Sequence, residues 1–75
     1  MIMRGQTITL RKGAEVRTMH PGRDRYTLKR NQSVKVHSTH AGYELDGVHH
    51  PAEISWAGAG GYWCYAKQDD IITSN

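Results

Sequence analysis

The chain has one cysteine, no phenylalanine and two prolines in 75 residues. A lone cysteine, Cys64, cannot close an internal disulfide, so no covalent staple holds the fold. A reducing compartment, most simply the cytoplasm, is expected. No apolar run approaches the ~18 residues that cross a bilayer as a helix. The opening Met1-Ile2-Met3-Arg4-Gly5 is too short to read as a signal peptide, and the residues after it are too polar. These absences point to a soluble intracellular protein with no membrane partner. Cys-x-x-Cys and His-x-x-x-His spacings are also missing. Acidic residues are scarce in the first half, where only Glu15 and Asp24 stand among residues 1–40.

Those 40 residues carry nine Lys or Arg and net +7, whereas residues 41–75 carry Lys67 against five acids and net −4. Such a division points to a negatively charged partner, either a nucleic acid or an acidic protein. Alternatively the two halves pair across one sheet and neutralise each other. A chain of this length makes one domain and buries only about 60% of its unfolded surface. Its core is therefore thin, and homo-oligomerisation would help it.

No segment keeps a helical period. Short alternating runs between turn residues dominate, which is an all-β pattern. Strands are expected at residues 6–11, 14–19, 26–28, 33–39, 43–45, 52–56 and 62–66. The first buries Ile8 and Leu10, the second Ala14, Val16 and Thr18, the fourth Val34 and Val36. Residues 20–25 form a charged loop broken by Pro21 and Gly22. Ala41-Gly42 and Asp46-Gly47 are turns, and 48–51 is expected to be loop. Gly58-Ala59-Gly60-Gly61 suits a flexible hairpin. Residues 67–71 suit one helical turn, with Ile72 and Thr73 as a short edge strand.

The stretch from Thr9 to Arg17 aligns without gaps on that from Thr27 to Lys35. Gly13 and Asn31 share a position that tolerates a left-handed backbone. The echo reflects either a duplication or the common grammar of β-turns. In both cases it sets Arg11 and Lys12, and Lys29 and Arg30, on two similar turns.

The signals come in a characteristic order. Gly13, Val16 and Arg17 mark an early strand. Next come a long basic loop, two central strands and a glycine hairpin. Gly61-Tyr62-Trp63-Cys64-Tyr65-Ala66 then leads through Lys67-Gln68-Asp69-Asp70-Ile71 to a terminal strand. This layout resembles an SH3-like small β-barrel over residues 6–73, with residues 1–5 and 74–75 as flexible termini. The resemblance implies a five- to six-stranded, closed all-β barrel with one short helical turn near the C-terminus, because closure removes exposed edges. It carries no function with it, since such barrels serve many unrelated ones. The acidic loop and Ala-Leu-Tyr-Asp-Tyr signature of signalling SH3 domains are missing, which argues against proline-rich ligands. The short, glycine-rich, single-domain style is similar to small accessory proteins of bacteriophages.

Catalysis and metal binding find little support. The five histidines are badly spaced for zinc, and no cofactor or metal is expected. Cys64 lies between Trp63 and Tyr65 and reads as a small packing residue, not a nucleophile. Asp69 and Asp70 are adjacent and point apart. A glycine loop that cradles phosphate leads into a helix, whereas here it leads into a strand.

A binding surface is the better expectation. Its basic part comprises Arg17, Arg23, Arg25, Lys29, Arg30, Lys35 and His37, with Arg17, Lys35 and His37 outward on neighbouring strands. Its aromatic anchors are Tyr62, Trp63 and Tyr65, of which either Tyr62 or the other two face solvent. Two readings compete. The first is a non-catalytic, phage-type accessory module that binds and modulates a host macromolecular machine, in the host cytoplasm. The second is a nucleic-acid-binding domain that uses the same basic face with aromatic stacking.

Overall fold

The computed structural model describes residues 2–19 and 24–74. Arg23 and most of the expected 20–25 loop lie outside them. The chain is all-β, with β1 (Thr7–Leu10), β2 (Glu15–Thr18), β3 (Arg25–Thr27), β4 (Gln32–Lys35), β5 (Ser38–His40), β6 (Tyr43–Leu45), β7 (Val48–His50), β8 (Glu53–Ala57), β9 (Trp63–Lys67) and β10 (Ile71–Ser74). A 3-10 turn at Gln68–Asp70 joins β9 to β10, where a single helical turn was expected.

Alternation builds β1, β2 and β9 as the sequence predicts, whereas β3 and β6 are exposed throughout. Ile8 and Leu10 are buried between exposed or half-buried threonines, and Val16 and Thr18 between Glu15, Arg17 and Met19. Period-two burial fixes the register, because a slip of one residue would turn every apolar side chain to solvent. The inward residues make one core of Ile8, Leu10, Val16, Val36, Ile54 and Trp56, completed by Ala14, Leu28, Val34, Cys64 and Ala66.

The strands form a three-stranded sheet, β10-β1-β4, a five-stranded sheet, β3-β2-β9-β8-β5, and a two-stranded hairpin, β6-β7. All pairings are antiparallel. The expected strand over 33–39 is two strands with a corner between them. Val36 donates its amide to Gln6 of the first sheet, and His37 donates to Ser55 of the second. The chain therefore changes sheet within one residue, and the core lies between the two sheets. At the other end Arg11 donates its amide to Asp70, and Leu28 accepts from the Gly13 amide and donates its own to Ala14.

Two expectations need correction. The sheets do not close into a barrel, and the described residues hold ten strands instead of five or six. At Val36–His37 the backbone bonds pass from one sheet to the other, and no strand pairing joins the two sheets among the described residues. Residues 48–50 are strand β7, not loop. Asp46 (φ 51°) and Gly47 (φ 77°) are both left-handed, as a two-residue hairpin turn of type I′ requires, and the turn sets Val48 opposite Leu45.

Residues at the margins of the expected 6–73 span also make contacts. Ile2 packs on the core, Gly5 donates its amide to Val36, and Ser74 pairs with Ile8. The glycine loop after β8 is ordered by a bond from the Gly58 amide to the Tyr62 carbonyl, 2.9 Å. A Cβ on Gly58 would lie 2.6 Å from the Cys64 sulfur, which is buried and has little room to move.

Gly58→Ala is therefore expected to destabilise the domain by about 1–3 kcal/mol, the usual range for overpacking. Removing the sulfur should relieve the clash, so the penalty should shrink in a Cys64→Ala background. Urea denaturation of the four proteins of this double-mutant cycle measures both effects, and additive losses would refute the contact.

Candidate functional site

The outer face of the five-stranded sheet is the most organised surface among the described residues. Arg17 of β2 lies opposite Tyr65 of β9, Tyr65 opposite Ser55 of β8, and Ser55 opposite Ser38 of β5. The next row is Lys67, Glu53 and His40. Because Cys64, Ala66, Ile54 and Trp56 point into the core, Trp63, Tyr65 and Lys67 must point out.

These outward side chains hold one another. The Arg17 guanidinium carbon lies 4.6 Å from the centre of the Tyr65 ring. Arg17 Nη2 also reaches Glu53 Oε1 at 2.9 Å. His40 packs on the other side of Tyr65 at 5.6 Å and bonds Ser55 Oγ through Nε2 at 3.1 Å. Ser55 is buried although it faces outward, so the aromatic layer has real thickness. His37 sits 4.5 Å from Trp63, whose surface is still 40% exposed. A partly exposed ion pair and a cation–π contact contribute about 0.5–1 kcal/mol each. Their main effect is to limit how far the Arg17 side chain can swing.

The β6-β7 hairpin rises beside this face. Tyr43 and His50 stack at 4.6 Å with 12° between their rings. Together with Arg17, His40, Glu53 and Tyr65 they line a concavity of about 500 Å³. Leu45 and Val48 share the Tyr43–His50 face of the hairpin and carry it onward to the tip, each 56% exposed.

The residues expected to form one basic face do not gather in one place. Arg17 and Arg25 meet on the five-stranded sheet, and each has a carboxylate partner, Glu53 at 2.9 Å and Glu15 at 3.1 Å. His37 belongs to the same side through Trp63. Lys35 is on β4, in the other sheet, so it does not neighbour Arg17. Lys29 and Arg30 lie exposed in the turn before β4. Of the anchors, Trp63 and Tyr65 face outward together. Tyr62 lies instead in a second groove, of about 410 Å³, with Tyr26, Lys35, Trp56 and Cys64.

Neutralisation between the two halves of the chain does occur, at Arg17–Glu53 and at Arg11–Asp70, 2.8 Å. Glu53, His40 and the Tyr43–His50 stack were not anticipated as site residues. The strand pattern held a signal for Glu53, since Glu53 and Ser55 alternate with buried Ile54 and Trp56. Nothing local announces the stack, which depends on the hairpin register.

Among the described residues no three His, Cys, Asp or Glu side chains cluster as a metal site. No helix among them is long and apolar enough to cross a membrane. Burial pushes the Cys64 thiol above its ordinary range, which keeps it protonated and a poor nucleophile. The Tyr26 phenol is also raised, first by desolvation and then by Cys64 and Tyr62.

Both groups hold their proton more tightly folded than unfolded. Their stabilising contribution is thus complete below about pH 8.5 for the thiol and about pH 10 for the phenol, and is lost as pH rises further. Urea midpoints should fall between neutral pH and pH ~10. Cys64→Ala should flatten the earlier part of that fall, and an unchanged profile would show that the thiol carries none of it.

The chain matches no protein-family model, and no curated protein or solved structure is significantly similar to it.

Proposed function

We propose that this chain is a small non-catalytic binding module that engages a protein partner through the outer face of its five-stranded sheet. Trp63 and Tyr65 serve as anchors, and the Tyr43–Val48 side of the hairpin forms the adjoining wall. One observation carries the reading. Tyr65, Tyr43 and His50 line a single concavity, exposed Trp63, Leu45 and Val48 extend its sheet and hairpin faces, and the arginines beside them already have carboxylate partners. Interface cores have this composition: Tyr, Trp and Arg are enriched and uncompensated charge is depleted. An apolar patch of this kind on a small domain marks an interaction site.

The finer fold reading is an SH3-like arrangement. Its support is the order of elements, in which a glycine hairpin, β9 and a 3-10 turn lead to a last strand that pairs with the first. The phage-type accessory role, acting on a host macromolecular machine, rests on the short, glycine-rich single-domain style. Nucleic-acid binding by stacking on this same face is the less favoured alternative, because Arg17 and Arg25 are engaged with Glu53 and Glu15 and are not free for phosphates.

Immobilised protein exposed to a bacterial lysate at ~150 mM salt should retain a defined stoichiometric partner. Trp63→Ala is expected to weaken that partner's binding about 30-fold, as loss of a central aromatic anchor does. Leu45→Ala/Val48→Ala should weaken it less. Retention that is indifferent to both variants, or retention of no protein, would overturn the proposal.

A further inference from the structure

The charge division along the sequence becomes a division between the two sides of the fold. Arg4, Arg11, Lys12, Lys29, Arg30 and Lys35 all lie on the three-stranded sheet or its adjoining turns. Only Asp69 and Asp70, from the 3-10 turn, accompany them, and Asp70 is engaged by Arg11. Glu15, Glu44, Asp46 and Glu53 belong to the five-stranded sheet or the hairpin. None of Arg4, Lys12, Lys29, Arg30 and Lys35 makes an ion pair among the described residues.

The two basic turns of the sequence echo are joined side by side. Gly13 donates its amide to Leu28, and Leu28 donates to Ala14. The Lys12 amide bonds Asn31 Oδ1 at 2.8 Å. This latch holds Lys12 beside Lys29 and Arg30 at one end of the sheet. Lys35 stands at the other end, opposite Thr7. Between them the outer face of β1 and β4 presents Thr7, Thr9 and Ser33, with Thr9 Oγ1 and Ser33 Oγ 3.1 Å apart. The five steps from Thr7 to Lys12 span about 17 Å, roughly five nucleotide steps along one strand. The strands TITL, QSVK and IITS contain no aromatic residue.

We infer that this face is a second, separate interface that binds the phosphate backbone of duplex nucleic acid without reading its sequence. Unpaired cations at the ends of a row of hydroxyls supply charge-assisted and neutral hydrogen bonds to phosphate oxygens, the contacts that position a protein on a duplex. Single-strand binding relies on aromatic platforms. Of the rings in the groove alongside Ser33 and Lys35, Trp56 and Tyr62 pack on the core and Tyr26 is exposed, so the face offers no run of stacking platforms and the occupant is the duplex. The inference stands independently of the protein-binding proposal, which uses the opposite sheet.

Fluorescence anisotropy with a labelled duplex of about 20 base pairs, and with its single strand, tests the inference across salt concentrations. Contacts to about four phosphates predict a fall of about 100-fold in affinity from 50 to 200 mM salt. Lys12→Gln/Arg30→Gln/Lys35→Gln should remove three of those contacts and most of the salt dependence, with an unchanged urea midpoint. Lys29→Gln/Arg30→Gln, confined to one exposed turn, should lose about half of the slope and guards against a folding defect in the triple variant. Lys67→Gln, a cation lost from the other sheet, should change the slope little. No duplex binding at 50 mM salt would overturn the inference. So would tighter binding of the single strand that is lost in Trp63→Ala, equal losses with Lys67→Gln and the triple variant, or binding of anionic lipid vesicles without binding of the duplex.

Discussion

Two successive amides, those of Val36 and His37, donate to different sheets, and the rest of the molecule depends on that division. Val36 is fully enclosed between the sheets, while His37 emerges beside Trp63 on the outer surface. A chain of 75 residues cannot build two independent sheets with long connections between them. Passing one strand through a corner lets the same segment complete both, so the small core is covered on two sides. The core that results is aliphatic, with Trp56 as its one large ring, and is filled by small residues where the β8-β9 hairpin closes. The close approach of Gly58 to Cys64 belongs to that economy of space.

The same division separates two surface chemistries. On the five-stranded sheet, cations and acids meet across diagonal positions: Arg17 finds Glu53, and Arg25 finds Glu15. Charge there cancels, and what projects is aromatic. On the three-stranded sheet the acids are few and drawn into the 3-10 turn, where Asp70 is nearly buried against Arg11. The surplus of positive charge is left facing solvent. If both proposed interfaces operate, the neutral aromatic side and the basic hydroxyl-rich side would contact two different macromolecules at once. Linked sites of this kind gain affinity from effective concentration as well as from the individual contacts.

The β6-β7 hairpin shows how a local rule acquires a tertiary meaning. Asp46-Gly47 is a strong turn signal by itself, and its two left-handed residues dictate a tight two-residue hairpin. That register sets Tyr43 against His50 and Leu45 against Val48. All four side chains then share one face, and Tyr43 and His50 reach the concavity beside the sheet only because Pro51 and Ala52 bring the chain straight back into β8. The close approach of Gly42 to the His50 carbonyl marks the base of the arm, where a side chain would not fit.

Much of the secondary structure was legible in the residue order. Alternation in Thr7–Leu10, Glu15–Thr18 and Glu53–Ala57 identified the strands and the side chains they bury, because period two is a property of the extended backbone and needs no tertiary information. The charge totals of the two halves were equally plain. The sequence alone could not determine which strands share a sheet, since sheet membership depends on where hydrogen bonds go after the chain turns a corner. That decided the fate of the basic residues. Arg17 and Lys35, both outward on their own strands, end on opposite sides of the molecule. Lys12 and Arg30, 18 residues apart, end on adjoining turns. Local pattern specifies which way a side chain points relative to its own strand, and only the packing of sheets specifies what it then faces.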